Sequence, residues 1–135
     1  MKKQLSILLT VILVTVGLTG CGGKSAKEVL EGEWFVWHWY YDVDNGEDGF
    51  FDDAKFYTFS PDGTLIIKES KDAKETENAK YEWKNDSTIT VTHTDDTVET
   101  IEITVTTHEG KEQLKYKNTD TNYVLSLEHM SDWQD

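Results

Sequence analysis

Residues able to do chemistry are concentrated in one short stretch of this chain. GEWFVWHWYY, Gly32 to Tyr41, sets three tryptophans, a phenylalanine and two tyrosines within ten residues. Aromatic walls of this kind supply much of the contact energy in small-molecule and partner sites. Strict alternation along a strand puts Trp34, Val36, His38 and Tyr40 on one face and Phe35, Trp37, Trp39 and Tyr41 on the other. Neither face is polar, so the candidate ligand-binding residues are Trp37, Trp39 and Tyr41, or His38 and Tyr40. The competing expectation is plain burial, with a terminal segment such as the tail carrying Met130 and Trp133 folded over the outer set.

The next stretch, YDVDNGEDGFFDD from Tyr41 to Asp53, is rich in carboxylates and contains Gly46 and Gly49. Carboxylates at alternating positions, with glycines allowing tight turns, are how calcium loops gather oxygen ligands. Set against EF-hand spacing from Asp44, however, Gly46 stands at a ligand position and Lys55 replaces the bidentate glutamate. An irregular calcium site using Asp42, Asp44, Asp48 and Asp52 is one reading; a solvated loop at the mouth of the fold is the other. No other cofactor is expected. His38, His93, His108 and His129 are scattered, with no H-x-x-x-H or G-x-S-x-G pattern, and the chain has one cysteine. Nothing here points to an enzyme.

The elements that position these residues are strands. After Gly32 the hydrophobic pattern has period two in the runs 33–41, 55–60, 63–69, 79–84, 87–93, 97–107, 112–117 and 122–128. Tight-turn sequences join them, among them SPDG (Ser60 to Gly63) and HEG (His108 to Gly110). Tyr81 and Trp83, then Ile89, Val91 and His93, then Ile101, Ile103 and Val105, then Leu114 and Tyr116, then Tyr123, Leu125 and Leu127 should face inward. The expected fold is all-β: an antiparallel eight-stranded meander, closed as a barrel or strongly curled, behind a short helix that Ser25 caps with Glu28.

The chain opens MKKQLSILLTVILVTVGLTGC, with Lys2 and Lys3 before an apolar run from Leu5 to Leu18, the layout of a signal peptide. Its end, Leu18, Thr19, Gly20 and Cys21, resembles the lipobox of bacterial lipoproteins. That resemblance implies a signal peptide over 1–20 and acylation of Cys21, including thioether diacylglycerol and palmitate-type chains. A lipidated tether then spans 21–27, and a single domain spans 28–135. Two acyl chains anchor stably where one does not. The expected location is the extracytoplasmic face of a cell membrane, in a Gram-positive envelope.

The helical turn followed by Leu30, Gly32 and Trp34 resembles the L-x-G-x-W opening of lipocalin-like domains, as do FYTFSPDGTLII (Phe56 to Ile67) and NTDTNY (Asn118 to Tyr123). The resemblance implies a small lipocalin-like barrel. It departs in one respect: lipocalins commonly close over the tryptophan with a late arginine, and this chain has none.

Without Lys2 and Lys3 the charge is 11 lysines against 26 acids, 11 − 26 = −15. Nucleic acid is excluded as a partner on this balance, and an anionic bilayer surface would repel the domain. Cationic partners are favoured. Together these features predict a lipid-anchored module that binds an apolar or cationic amphipathic ligand, with antimicrobial-peptide sequestration or immunity as one instance. The alternative is a non-enzymatic lipoprotein that docks an envelope protein or complex through its aromatic strand.

Overall fold

In a computed structural model the described residues are 25–133; the signal peptide and Cys21 lie outside them. A short helix, α1 (Ala26–Val29), precedes eight strands: β1 (Gly32–Tyr41), β2 (Asp48–Phe59), β3 (Thr64–Lys68), β4 (Glu77–Trp83), β5 (Thr88–Thr92), β6 (Val98–His108), β7 (Lys111–Asn118) and β8 (Tyr123–His129). Each pairs antiparallel with the next, and β8 pairs with β1 to close the barrel. Every strand has both neighbours inside this segment, so no edge is left to recruit another chain and the barrel folds as one unit. The architecture is lipocalin-like.

The turns form where the sequence places them. Gly63 takes a φ of +92°, which ordinary side chains rarely adopt, and its N–H donates to the Ser60 carbonyl across the β2–β3 turn. Asn85, Asp95 and Asn118 each accept a backbone N–H two residues on, at 2.9–3.0 Å, the short-range bonding that makes these residues turn formers. Ser25 and Glu28 cap α1 as expected, the Ser25 N–H donating to Glu28 Oε1 at 3.0 Å. The helix begins at Ala26, two residues ahead of the expected start of the domain, and Ala26 is buried.

Inside, the two-residue period does its work. Tyr57, Phe59, Leu65, Ile67, Tyr81, Ile89, Val91, Ile101, Ile103, Leu114, Tyr116, Leu125 and Leu127 are buried in one cluster, with Trp83, Val105 and Tyr123 packed against it. The inward set read from alternation in β4 to β8 is thus the core, apart from His93, which is half-buried between Glu77 and Glu99. Val29 of α1 and Leu30, which caps its C-terminus, join the same cluster and plug the end of the barrel at which β1 begins. Over this plug lies Trp34, whose Nε1–H donates to the Leu30 carbonyl at 2.8 Å. The ring stacked on Trp34 is that of His129, with centroids 4.0 Å apart, and Glu112 holds His129 Nε2 at 2.8 Å. A histidine late in the chain thus closes over Trp34.

Two expectations are corrected. The stretch read as an acidic loop is strand from Asp48 onward, so β2 begins seven residues before the expected Lys55. Its acids, Asp48, Asp52 and Asp53, stay exposed, and a strand with a wet face tolerates them. The second correction concerns β1. Val36 pairs with Leu127 but His38 with Ser126, so Trp37 is an extra residue against β8. Against β2 the register jumps from Lys55 to Phe50 at the same point. A bulge inverts the inward parity of everything beyond it. Trp34 and Val36 face in before it; after it Trp39 faces in, while His38 and Tyr40 face out.

Candidate functional site

The bulge separates the aromatic residues into three groups. Trp37 stays on the outer surface beside Phe35, Ala54 and Phe56, beneath the C-terminal segment. Trp133 stacks on Trp37 at 5.4 Å with an interplanar angle of 11°, and meets Phe35 and Phe56 edge-on at 5.0 and 5.3 Å. The tail carrying Met130 and Trp133 therefore covers this patch, which is structural. His38 and Tyr40 form the second group, outside and stacked at 5.5 Å, with Phe50 5.0 Å from His38 and 73% exposed. Trp39 and Tyr41, the third group, turn toward the barrel end opposite the helical plug, where Tyr123 lies 6.1 and 5.2 Å from them.

That end is a mouth built from strand termini. On the β8–β1 side it is aromatic: Trp39, Tyr41 and Tyr123. On the β4–β6 side it is acidic. Glu77 opens β4, Glu99 is the second residue of β6, and His93 follows β5 between them. His93 Nδ1 lies 2.8 Å from Glu77 Oε2 and Nε2 lies 2.6 Å from Glu99 Oε1. An imidazole with a carboxylate on each nitrogen donates at both only when protonated. Burial opposes that charge, but the bonds and charges of Glu99 and Glu77 outweigh burial and raise the His93 pKa. Asn118 Nδ2 donates to the second Glu99 oxygen at 2.9 Å, so Glu99 is fixed from both sides.

Behind the mouth lies a cavity of about 100 Å³ lined by Tyr57, Glu99, Ile101, Tyr116, Asn118, Tyr123 and Leu125. Tyr57 and Tyr116 are 8% and 5% exposed, and among the described residues neither hydroxyl has a hydrogen-bond partner. Burial, above all, pushes both phenols far above their ordinary pKa; Glu99 and then Glu69 add to this at Tyr57, and Tyr57 itself and then Glu99 add to it at Tyr116. Both hydroxyls are neutral donors and acceptors at any physiological pH. Larger hollows of about 300 and 460 Å³ flank the β2–β3 turn at the plugged end, but the phenol they share, Tyr81, is satisfied by the Ser60 carbonyl at 2.6 Å.

Trp39 owes its position to Gly49, its partner across the β1–β2 ladder. A Cβ on Gly49 would come within 2.7 Å of Trp39 Cζ2. Gly49→Ala should therefore push the indole off the mouth at a cost of about 1–3 kcal/mol, the usual penalty of overpacking. The expected readout is a red-shifted, more quenchable tryptophan emission; unchanged emission and stability would mean that the indole does not rest on this glycine.

The four aspartates proposed as calcium ligands lie in the β1–β2 turn and on β2. Asp42 is held by Lys117 at 3.1 Å and Lys115 at 3.8 Å, and the Lys117 hydrogen bond leads the causes that lower its pKa. Asp44 lies in the β1–β2 turn, while Asp48 and Asp52 lie on β2. Among the described residues no group of three or more His, Cys, Asp or Glu side chains has a metal-binding arrangement. His38 and His93, each bonded to its own carboxylates, share no site.

Of the sequence-predicted ligand residues, the mouth keeps Trp39 and Tyr41. Reading the sequence missed Glu77, Glu99, Tyr57, Tyr116 and Asn118. The signal for the two acids was present: each lies at inward parity with core residues, Glu77 with Ala79 and Tyr81, Glu99 with Ile101 and Ile103. No protein-family model, no curated protein and no solved structure matches the chain.

Proposed function

We propose that the protein is a lipid-anchored, extracytoplasmic lipoprotein whose barrel mouth binds a cationic amphipathic ligand. One observation carries this reading: at the barrel end opposite the plug, the aromatic wall of Trp39, Tyr41 and Tyr123 stands across from the carboxylates Glu77 and Glu99. An apolar body rests on rings of this kind while a positive group meets carboxylates. The overall excess of acids draws such ligands in and disfavours fatty acids and nucleic acids. Lipidation at Cys21, outside the described residues, would keep the domain where cationic antimicrobial peptides arrive, so sequestering them is a concrete form of the activity.

Residues 22–135 contain the whole closed barrel and are suited to the test. Tryptophan emission is followed while a cationic amphipathic peptide, and separately decanoate, is added. A saturable shift with the peptide, weakened by salt and lost in Trp39→Ala, is the expected result. Equal response to decanoate, or a peptide shift that persists in Trp39→Ala, would contradict it.

A second reading rests on the outer face. Phe50, 73% exposed, and the half-buried His38 and Tyr40 form an outward-facing aromatic group on the same hairpin, and a contiguous patch of this type suits a docked envelope protein.

A further inference from the structure

Two buried phenols at the floor of the mouth have no hydrogen-bond partner among the described residues, and this is the least ordinary feature of the barrel. A hydroxyl removed from water without a hydrogen bond is destabilising, and such groups are scarce in folded proteins. Here two occur together, on β2 and β7, in one cavity with Glu99 and Asn118. Their rings meet at 5.7 Å and 73°, so both line the same small space. We infer that this cavity is a subsite for a primary ammonium group, with the Tyr57 and Tyr116 hydroxyls and Glu99 as its acceptors. The inference deepens the binding reading given above and rests on it.

Three considerations select that head group. The first is charge. Glu77 and Glu99 share a single imidazole, so one negative charge remains uncompensated even when His93 carries a proton. One cation completes the balance. The second is hydrogen bonding. A primary ammonium presents three N–H donors, as a lysine side chain does, and two phenol oxygens and a carboxylate oxygen can accept them. A trimethylammonium head has no donor and would leave both hydroxyls as they are. The third is size. About 100 Å³ admits a head of a few atoms and excludes a peptide backbone or a lipid glycerol. The apolar remainder of the ligand would leave past Tyr123 to lie on Trp39 and Tyr41. A lysine side chain of a peptide and a free alkylamine share this chemistry.

Calorimetric titration of residues 22–135 with octylamine, octyltrimethylammonium and an apolar peptide containing a single lysine separates these cases. Octylamine, the lysine peptide or both should bind at least tenfold more tightly than octyltrimethylammonium. Tyr57→Phe and Tyr116→Phe should each lower that affinity several-fold while raising, or leaving unchanged, the urea midpoint, because each removes a buried hydroxyl that has no partner among the described residues. A merely structural role for the hydroxyls would lower the midpoint instead, and that result overturns the inference. Equal binding of the ammonium and trimethylammonium heads, untouched by either phenylalanine, would also overturn it while leaving a cation-binding mouth intact. Failure of all three ligands to bind would remove the binding reading itself.

Discussion

Trp34→Ala should destabilise the barrel by about 3–5 kcal/mol, the range for deleting a large aromatic side chain from a packed core. Trp34 is 1% exposed, sits against the plug formed by α1, donates to the Leu30 carbonyl and is stacked by His129. Its removal leaves a cavity at the junction of helix, β1 and β8 and strips α1 of its anchor. For a domain of this size the melting temperature should fall by about 15 °C or more. Trp34→Phe separates the contributions. It retains a ring for His129 and loses the bond to Leu30, so about 1–2 kcal/mol is expected. Urea denaturation followed by far-ultraviolet circular dichroism reads both. A loss below about 1 kcal/mol for the alanine variant would mean that the plugged end does not hold the barrel together.

Glu99→Gln should have the largest effect on binding. The substitution keeps the size of the side chain but removes the charge that faces the cavity and releases His93 from one of its carboxylates. Affinity for a cationic amphiphile should drop about 10- to 100-fold, equivalent to about 1.4–2.8 kcal/mol. The same change alters how stability depends on pH. His93 has a folded pKa raised above its ordinary value of 6.5, so its contribution is fully present below that value and is lost as pH rises through the raised folded value. The charges acting on it are Glu77 on β4, Glu99 on β6 and Asp95 in the β5–β6 turn. Urea midpoints of the unaltered protein should therefore decline from mildly acidic into alkaline pH. In Glu99→Gln and in His93→Gln that decline should flatten. An identical slope in all three proteins would show that the clamp is not coupled to folding.

Most of the barrel could be read in advance because its determinants are local. Turn residues such as Pro61-Asp62-Gly63 and the alternation through Ile101, Ile103 and Val105 act over a few residues, and they placed strands and core correctly. Trp37 shows where such reasoning stops. Nothing in an all-aromatic stretch tells which residue will be the extra one, because apolar side chains satisfy either face; the bulge depends on how β1 fits β2 and β8 at once. The early start of β2 was hidden for a related reason. Gly49 and its flanking acids read as loop chemistry, and only the indole of Trp39 across the ladder explains a glycine there. Parity marks Glu77 and Glu99 as inward, but their meeting with Tyr57 and Tyr116 could not be read, because the four come from four strands and meet only when the barrel closes.

A ligand in the barrel mouth and a ligand on the outer aromatic face would touch different residues. Amide chemical shifts of isotope-labelled residues 22–135, followed during titration with octylamine, tell the two apart most directly. Occupancy of the mouth should give saturable shifts at Trp39, Tyr41, Glu99, Tyr116, Asn118 and Tyr123, with the Trp37 and Trp133 indole signals unmoved. Shifts confined to His38, Tyr40 and Phe50 would contradict it and assign the aromatic strand to docking on the outside of the barrel.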